Sequence, residues 1–250
     1  MLLNWLSRRL AAYLSKQVTE QSVRTCAWEA LERVIQPGDV LLVEGNTRIS
    51  VAIKYLTQST WSHAALYLGP DAGLGAADNG EPHVLVEADL EEGIRPLSLS
   101  FYRNTHTRIC RPVGLSDHDI SKLIDYSTSR LGHQYDLKNV WDLARYLFPT
   151  PPVPSRYRRS LLALGSSDPT RAICSTFIAE GFQSLRYPIL PVSLSESEDD
   201  LVCAAQKREY FRIRHHSLFA PRDFDASPYF DVIKPTLEQG FDYRKFQWAE

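Results

Sequence analysis

The chain has 250 residues, 44% of them hydrophobic and 23% charged, with a formal net charge of −2. That length allows a substantial core, the composition is ordinary for a globular protein, and the charge lacks the basic excess of a nucleic-acid binder. The four cysteines, Cys26, Cys110, Cys174 and Cys203, are scattered without CxxC spacing, which disfavours a zinc ribbon or disulfide framework and fits a reducing compartment.

Leu3, Leu6, Leu10, Tyr13 and Leu14 recur at helical spacing, predicting an amphipathic helix over residues 2–17 with Arg8, Arg9 and Lys16 off the apolar face. Two occupants are open for that face: the rest of the protein or a second subunit, or an anionic membrane surface with Trp5 at the interface. Leu2, Leu3, Trp5 and Leu6 precede Arg8 and Arg9, the reverse of a secretory signal. No apolar run approaches the ~20 residues that span a bilayer. A cytoplasmic protein is expected, with peripheral membrane contact through residues 1–17 as the alternative to packing.

A second helical stretch, Val18 to Val34, runs into the turn Gln36-Pro37-Gly38-Asp39. Val40 to Val43 reads as a buried strand, Ile49 to Leu56 as a short helix, and His63–Leu68 and Val84–Ala88 as strands either side of the loop 69–82. Thr107 to Arg111 reads as another strand and 117–131 as a helix. The Pro-, Arg- and Ser-rich stretch 149–170 reads as a loop, and a helix starts near Cys174. The order of strands and helices predicts an α+β fold on a mainly antiparallel sheet. Residues 1–36 are expected as a helical extension, and 37–250 as one domain with a C-terminal extension.

Three side chains carry candidate chemistry. Cys174 opens an apolar helical run, and a helix N-terminus favours a thiolate and offers amides to an oxyanion. Taken alone it is equally readable as a buried structural cysteine. His63 heads a strand, where a base can point into a cleft from a rigid edge. Glu87 lies inside the apolar run Val84 to Ala88 and needs a charged or hydrogen-bonding partner if it is buried. A histidine ring is such a partner, and solvent on an edge strand is the alternative. His215-His216 lacks further ligands at metal spacing and reads as a solvated pair. Arg156, Arg158 and Arg159, and the acidic run Glu196, Glu198, Asp199 and Asp200, read as exposed surface.

The succession Pro37-Gly38-Asp39-Val40, Trp61-Ser62-His63, Leu68-Gly69, Val86-Glu87-Ala88, Leu131-Gly132 to Tyr135-Asp136 and Cys174-Ser175 resembles the YiiX/YebB-like group of the NlpC superfamily of cysteine hydrolases. In that group the papain-like order is circularly permuted, and lecithin retinol acyltransferase belongs to the same branch. The resemblance covers residues 37–185. It implies a circularly permuted papain-like fold, with Cys174 as nucleophile, His63 as base, Glu87 as the orienting third member and Tyr135 as a pocket residue. It implies a thiol-dependent hydrolase or acyltransferase acting on an amide, ester or thioester of a small molecule, peptide or lipid, without cofactor or metal. A non-catalytic scaffold that keeps the fold is the rival, and the oligomeric state is left open.

Overall fold

The computed structural model describes residues 13, 16–17, 27–134, 173–190, 192–193, 211–212, 215–238, 240, 242 and 244. The predicted helix over 2–17 (apart from Tyr13, Lys16 and Gln17), the stretch 18–26, Tyr135, the loop 149–170 and the acidic run 196–200 lie outside the described residues.

The elements in chain order are α1 (Trp28–Val34), β1 (Val40–Glu44), α2 (Arg48–Thr57), β2 (His63–Tyr67), β3 (His83–Asp89), β4 (Gly93–Ser98), β5 (His106–Pro112), α3 (Asp117–Ser129), α4 (Ile173–Ser184), β6 (Val192–Ser193), β7 (Phe211–Arg212), α5 (Pro221–Ala226), β8 (Phe230–Ile233) and α6 (Pro235–Glu238). Six strands form one sheet in the order β4-β3-β2-β1-β5-β8, every neighbouring pair antiparallel. Strands β6 and β7 pair separately. The predicted α+β class with a mainly antiparallel sheet is what the chain adopts. The helix carrying Cys174 follows strands β1 to β5 in sequence, the permuted order.

The central strands read as unbroken apolar runs because both faces of the sheet are covered. Side chains alternate along a strand, so Val40, Leu42, Ala64, Leu66, Val86 and Ala88 enter one buried cluster, while Leu41, Val43, Ala65 and Leu85 enter another. The first cluster is closed by α3 and α4 through Leu123, Phe177, Ile178 and Phe182, and by Phe219, Phe224 and Phe230. The second is closed by Trp28 and Leu31 of α1 together with Leu99 and Tyr102. Each large side chain so buried contributes about 1.5–3 kcal/mol.

Local chemistry sets the helix starts. Thr47 caps α2, its Oγ1 accepting from the Ser50 N–H, and Ser116 and Asp119 form a reciprocal capping box on α3. Helices α3 and α4 approach closely at Gly181, where an added Cβ would lie 3.0 Å from Leu123 Cδ1.

Four strands were absent from the expected elements, β4 and β8 of the six-stranded sheet and the separate pair β6 and β7. Strand β4 contains Pro96, a residue that argues against a strand unless it lies at an edge. Here β4 is the outermost named strand, and Leu131 to Gln134 runs beside it, with the Ile94 N–H donating to the His133 carbonyl at 3.0 Å and the Gly132 N–H to the Ile94 carbonyl at 2.8 Å. Strand β8 has four residues, too short to show a period, and is positioned by pairing with β5.

Candidate active site

The approach to His63 is tied down on several sides. The Trp61 N–H donates to Ser59 Oγ, its indole N–H to Asp225 Oδ2 at 3.1 Å, and the Ser62 N–H to the Val43 carbonyl at 3.1 Å. Ser62 Oγ accepts from the Gly45 N–H at 2.9 Å. His63 then pairs with Val43 of β1, so its backbone is fixed in the sheet interior.

The pairing of β2 with β3 is shorter. It holds at Leu66↔Val86 and Tyr67↔Leu85 and stops before Ala64 and His63. Amides alternate sides along a strand, and the Leu68 N–H donates to Val84 of β3. The Ala64 N–H therefore also faces β3, where no ladder partner is paired with it. That amide is among the groups that lower the buried Cys174 thiol.

Cys174 lies in the first turn of α4, which Phe177, Ile178 and Phe182 anchor on the sheet. Cys174 is 4% exposed, more enclosed than an open cleft mouth would leave it. His63 has Cys174 as one hydrogen-bonding partner and Glu87 as the other, with Nε2 2.7 Å from Glu87 Oε2. That leaves Nδ1 for the sulfur. The three residues expected to act together are thus brought together.

Glu87 does not face solvent. It is 1% exposed, on an interior strand, and its carboxylate accepts hydrogen bonds from four donor atoms. His63 and the Tyr102 hydroxyl share Oε2, while Nε and Nη2 of Arg95 reach Oε1 at 3.0 and 2.8 Å. Arg95 and Tyr102 were not anticipated. The signal for Arg95 was the hairpin itself: the Asp89–Gly93 turn puts Arg95 directly opposite Glu87 on the same face. Tyr102 carried no comparable local signal, because it comes from a separate 3-10 turn, Leu99–Tyr102.

The electrostatics follow from this packing. Burial alone would raise the Glu87 carboxyl, but the His63 charge and hydrogen bond, the Tyr102 hydroxyl and the Arg95 charge bring it down to about 2. Burial would lower His63, yet the neighbouring Cys174 and Glu87 charges and hydrogen bonds outweigh it and hold the imidazole well above its ordinary value. Burial would raise the Cys174 thiol, and the His63 charge and hydrogen bond, the Ala64 N–H and Ser175 reverse that to a net lowering. Cys110, buried without such partners, is driven upward by burial. Both shifts, His63 upward and Cys174 downward, run in the direction that favours a thiolate beside an imidazolium.

Other anticipated features fall elsewhere. His216 is partly exposed, and its Nε2 lies 3.2 Å from Glu180 Oε1 on α4, tying the C-terminal part to that helix. Its ring and that of His215 lie 4.0 Å apart. Arg156, Arg158 and Arg159 are outside the described residues, as is Tyr135. Among the described residues no group of three or more His, Cys, Asp or Glu side chains is placed to share a metal ion. No helix among them is long and apolar enough to cross a membrane.

The family model for the permuted papain-like amidase enzyme, YaeF/YiiX, C92 family, matches residues 34–148. That span holds His63 and Glu87 and ends before Cys174. No curated protein matches the chain. Among solved structures, the metalloprotein yiiX from Escherichia coli O157:H7 aligns with a TM-score of 0.45 at 18% identity, over 80% of this chain and 96% of that chain. Residues 34–148, a little under half of the chain, are thus similar to the YiiX-like permuted papain-fold group of cysteine hydrolases.

Proposed function

We propose that this protein is a cysteine amidase that works through an acyl-enzyme on Cys174, with His63 as general base and Glu87 as the group that orients the ring. The observation carrying this reading is a histidine held between a buried, ionised carboxylate and a thiol at a helix N-terminus, with the thiol lowered despite its burial. A merely structural cysteine in this core should resemble Cys110 and be pushed up.

In the proposed sequence His63 Nδ1 takes the proton from Sγ, and the thiolate forms an S–C bond at the carbonyl carbon. The carbonyl electron pair moves to oxygen, stabilised by the Cys174 backbone N–H at the positive end of α4. Collapse breaks the C–N bond, and the amine leaves with the proton carried by His63. Water, deprotonated by the same ring, then cleaves the thioester and restores the thiol. An acceptor alcohol or amine in place of water would make the second step a transfer. The amide is preferred as substrate because the matched family is described as an amidase.

The test is hydrolysis of a panel of acyl amides and esters by the full chain, wild type beside Cys174→Ala and His63→Ala. Turnover lost in both variants, with melting unchanged, supports the reading. Full activity of Cys174→Ala would falsify it.

A further inference from the structure

We propose that Arg95 and Tyr102 are positioning residues for the reacting centre: they clamp Glu87 as a carboxylate in one orientation, so that His63 must present Nδ1 to Cys174. This rests on the proposed roles of Cys174 and His63 and extends it to two residues outside the expected triad.

A carboxyl as enclosed as Glu87 needs compensation to stay charged. His63 supplies one donor, but only to Oε2. Without further partners Oε1 would be bare, and the group could rotate or take a proton. Arg95 closes that route. It stands opposite Glu87 across the β3–β4 pair and directs two N–H donors at the single oxygen Oε1, which holds that oxygen in place and favours its charge. The guanidinium is itself held. Nη1 donates to Glu92 Oε1 at 2.5 Å, Nη2 lies 3.6 Å from Asp89 Oδ2, and the Phe101 ring packs 5.5 Å from its centre.

Tyr102 closes the second route. Its hydroxyl donates to Oε2, the oxygen His63 uses, so that oxygen holds two donors and has no reason to turn. The tyrosine is 6% exposed, and its carbonyl accepts from Thr105 through both the hydroxyl at 2.8 Å and the amide at 3.1 Å. The ionisable groups facing Glu87 are His63 from β2, Arg95 from β4 and Tyr102 from the 3-10 turn, with Cys174 of α4 beyond the ring. Asp89 and Glu92 face Arg95 and limit its net charge.

Loss of either clamp lets Glu87 protonate at higher pH. A neutral Glu87 no longer stabilises the imidazolium, so the thiolate disappears at a higher pH as well. The experiment is the rate of Cys174 alkylation by iodoacetamide, resolved by peptide mass spectrometry, from about pH 4 to about pH 9. The variants are Arg95→Gln, Arg95→Lys and Tyr102→Phe in the full chain, each checked by its melting curve. Expected at about pH 5 are a tenfold or greater fall for Arg95→Gln, a severalfold fall for Tyr102→Phe, and a value between wild type and Arg95→Gln for Arg95→Lys. Folded variants whose profiles superimpose on wild type overturn the proposal. Tyr102→Phe keeps the buried ring, so it decides the matter if Arg95→Gln does not fold. If wild-type Cys174 is alkylated no faster than Cys110, the reading of the site fails, and this proposal with it.

Discussion

Replacing Glu87 by glutamine tests the architecture of the site most directly. From the sequence alone the change is mild, because an amide oxygen still accepts a hydrogen bond from the imidazole. In the structure both carboxylate oxygens are met by donors, Oε2 by His63 and Tyr102 and Oε1 by two nitrogens of Arg95. Glutamine has one acceptor and one donor, so its NH2 must face either the guanidinium or the ring and hydroxyl. Facing the guanidinium, which has no acceptor, the NH2 loses both bonds; facing the ring and hydroxyl, it can donate only if His63 and Tyr102 turn from donors to acceptors. Hydrogen bonds to a charged group contribute about 1.5–3 kcal/mol each. Breaking a buried pair by removing one partner costs about 3–5 kcal/mol. Arg95 keeps Glu92 and Asp89 as partners and is 20% exposed, which argues for the lower end, about 3 kcal/mol. For a chain of this size that is a fall in Tm of roughly 6–12 °C. Thermal and urea melts of Glu87→Gln measure it. Adding Arg95→Met removes the stranded cation, so the double variant should be less destabilised than the two single effects together. A Glu87→Gln protein within about 0.5 kcal/mol of wild type would refute the four-donor arrangement.

Two further outcomes are expected. Glu87 sits at about 2 in the folded chain against an ordinary 4.5. A carboxylate depressed on folding adds stability that is complete above about pH 4.5 and is lost as the pH falls toward 2, here about 3 kcal/mol. Urea melts across that range should show the loss, and the acid slope should flatten in Glu87→Gln; equal slopes would contradict the assignment. Gly93 has φ +78°, and an added Cβ would lie 2.5 Å from the His133 carbonyl oxygen. Gly93→Ala should cost about 2 kcal/mol or more and speed hydrogen exchange at Ile94 and Gly132, whose amides join β4 to the segment 131–134. Unchanged exchange at both amides would show that this close approach does not hold the segment.

How much of this was legible in the sequence depends on where each signal lies. Val40–Val43, His63–Leu68 and Val84–Ala88 announced themselves because a strand covered on both faces is apolar without interruption. His63, Glu87 and Cys174 were legible as candidates because each is a polar group in an apolar run. Pro96 masked β4, since its suitability for a strand depends on being at an edge, which is a tertiary property. The tail was unreadable for a related reason: the four residues of β8 acquire their conformation from β5. Arg95 and Tyr102 were missed because a surface-type Arg and a loop Tyr look ordinary until the hairpin register turns them onto Glu87.

The opening between β2 and β3 explains how a site can form in this chain order. A fully zipped β2–β3 pair would use the Ala64 amide in the ladder and leave no route from α4, which packs on one face, to the His63 ring, which lies on the face of Ala65, Leu85 and Tyr102. Ending the ladder at Leu66↔Val86 forgoes hydrogen bonds at the end of the strand pair. The Ala64 amide left out of the ladder then helps to lower the buried Cys174 thiol. The same step places the thiol beside the imidazole. The connection between β2 and α4 plays no part in this contact: it needs only a histidine at the splayed end of a central strand and a cysteine in the first turn of the helix packed over the gap. A permuted chain therefore meets the requirement with His63 before Cys174 in the sequence.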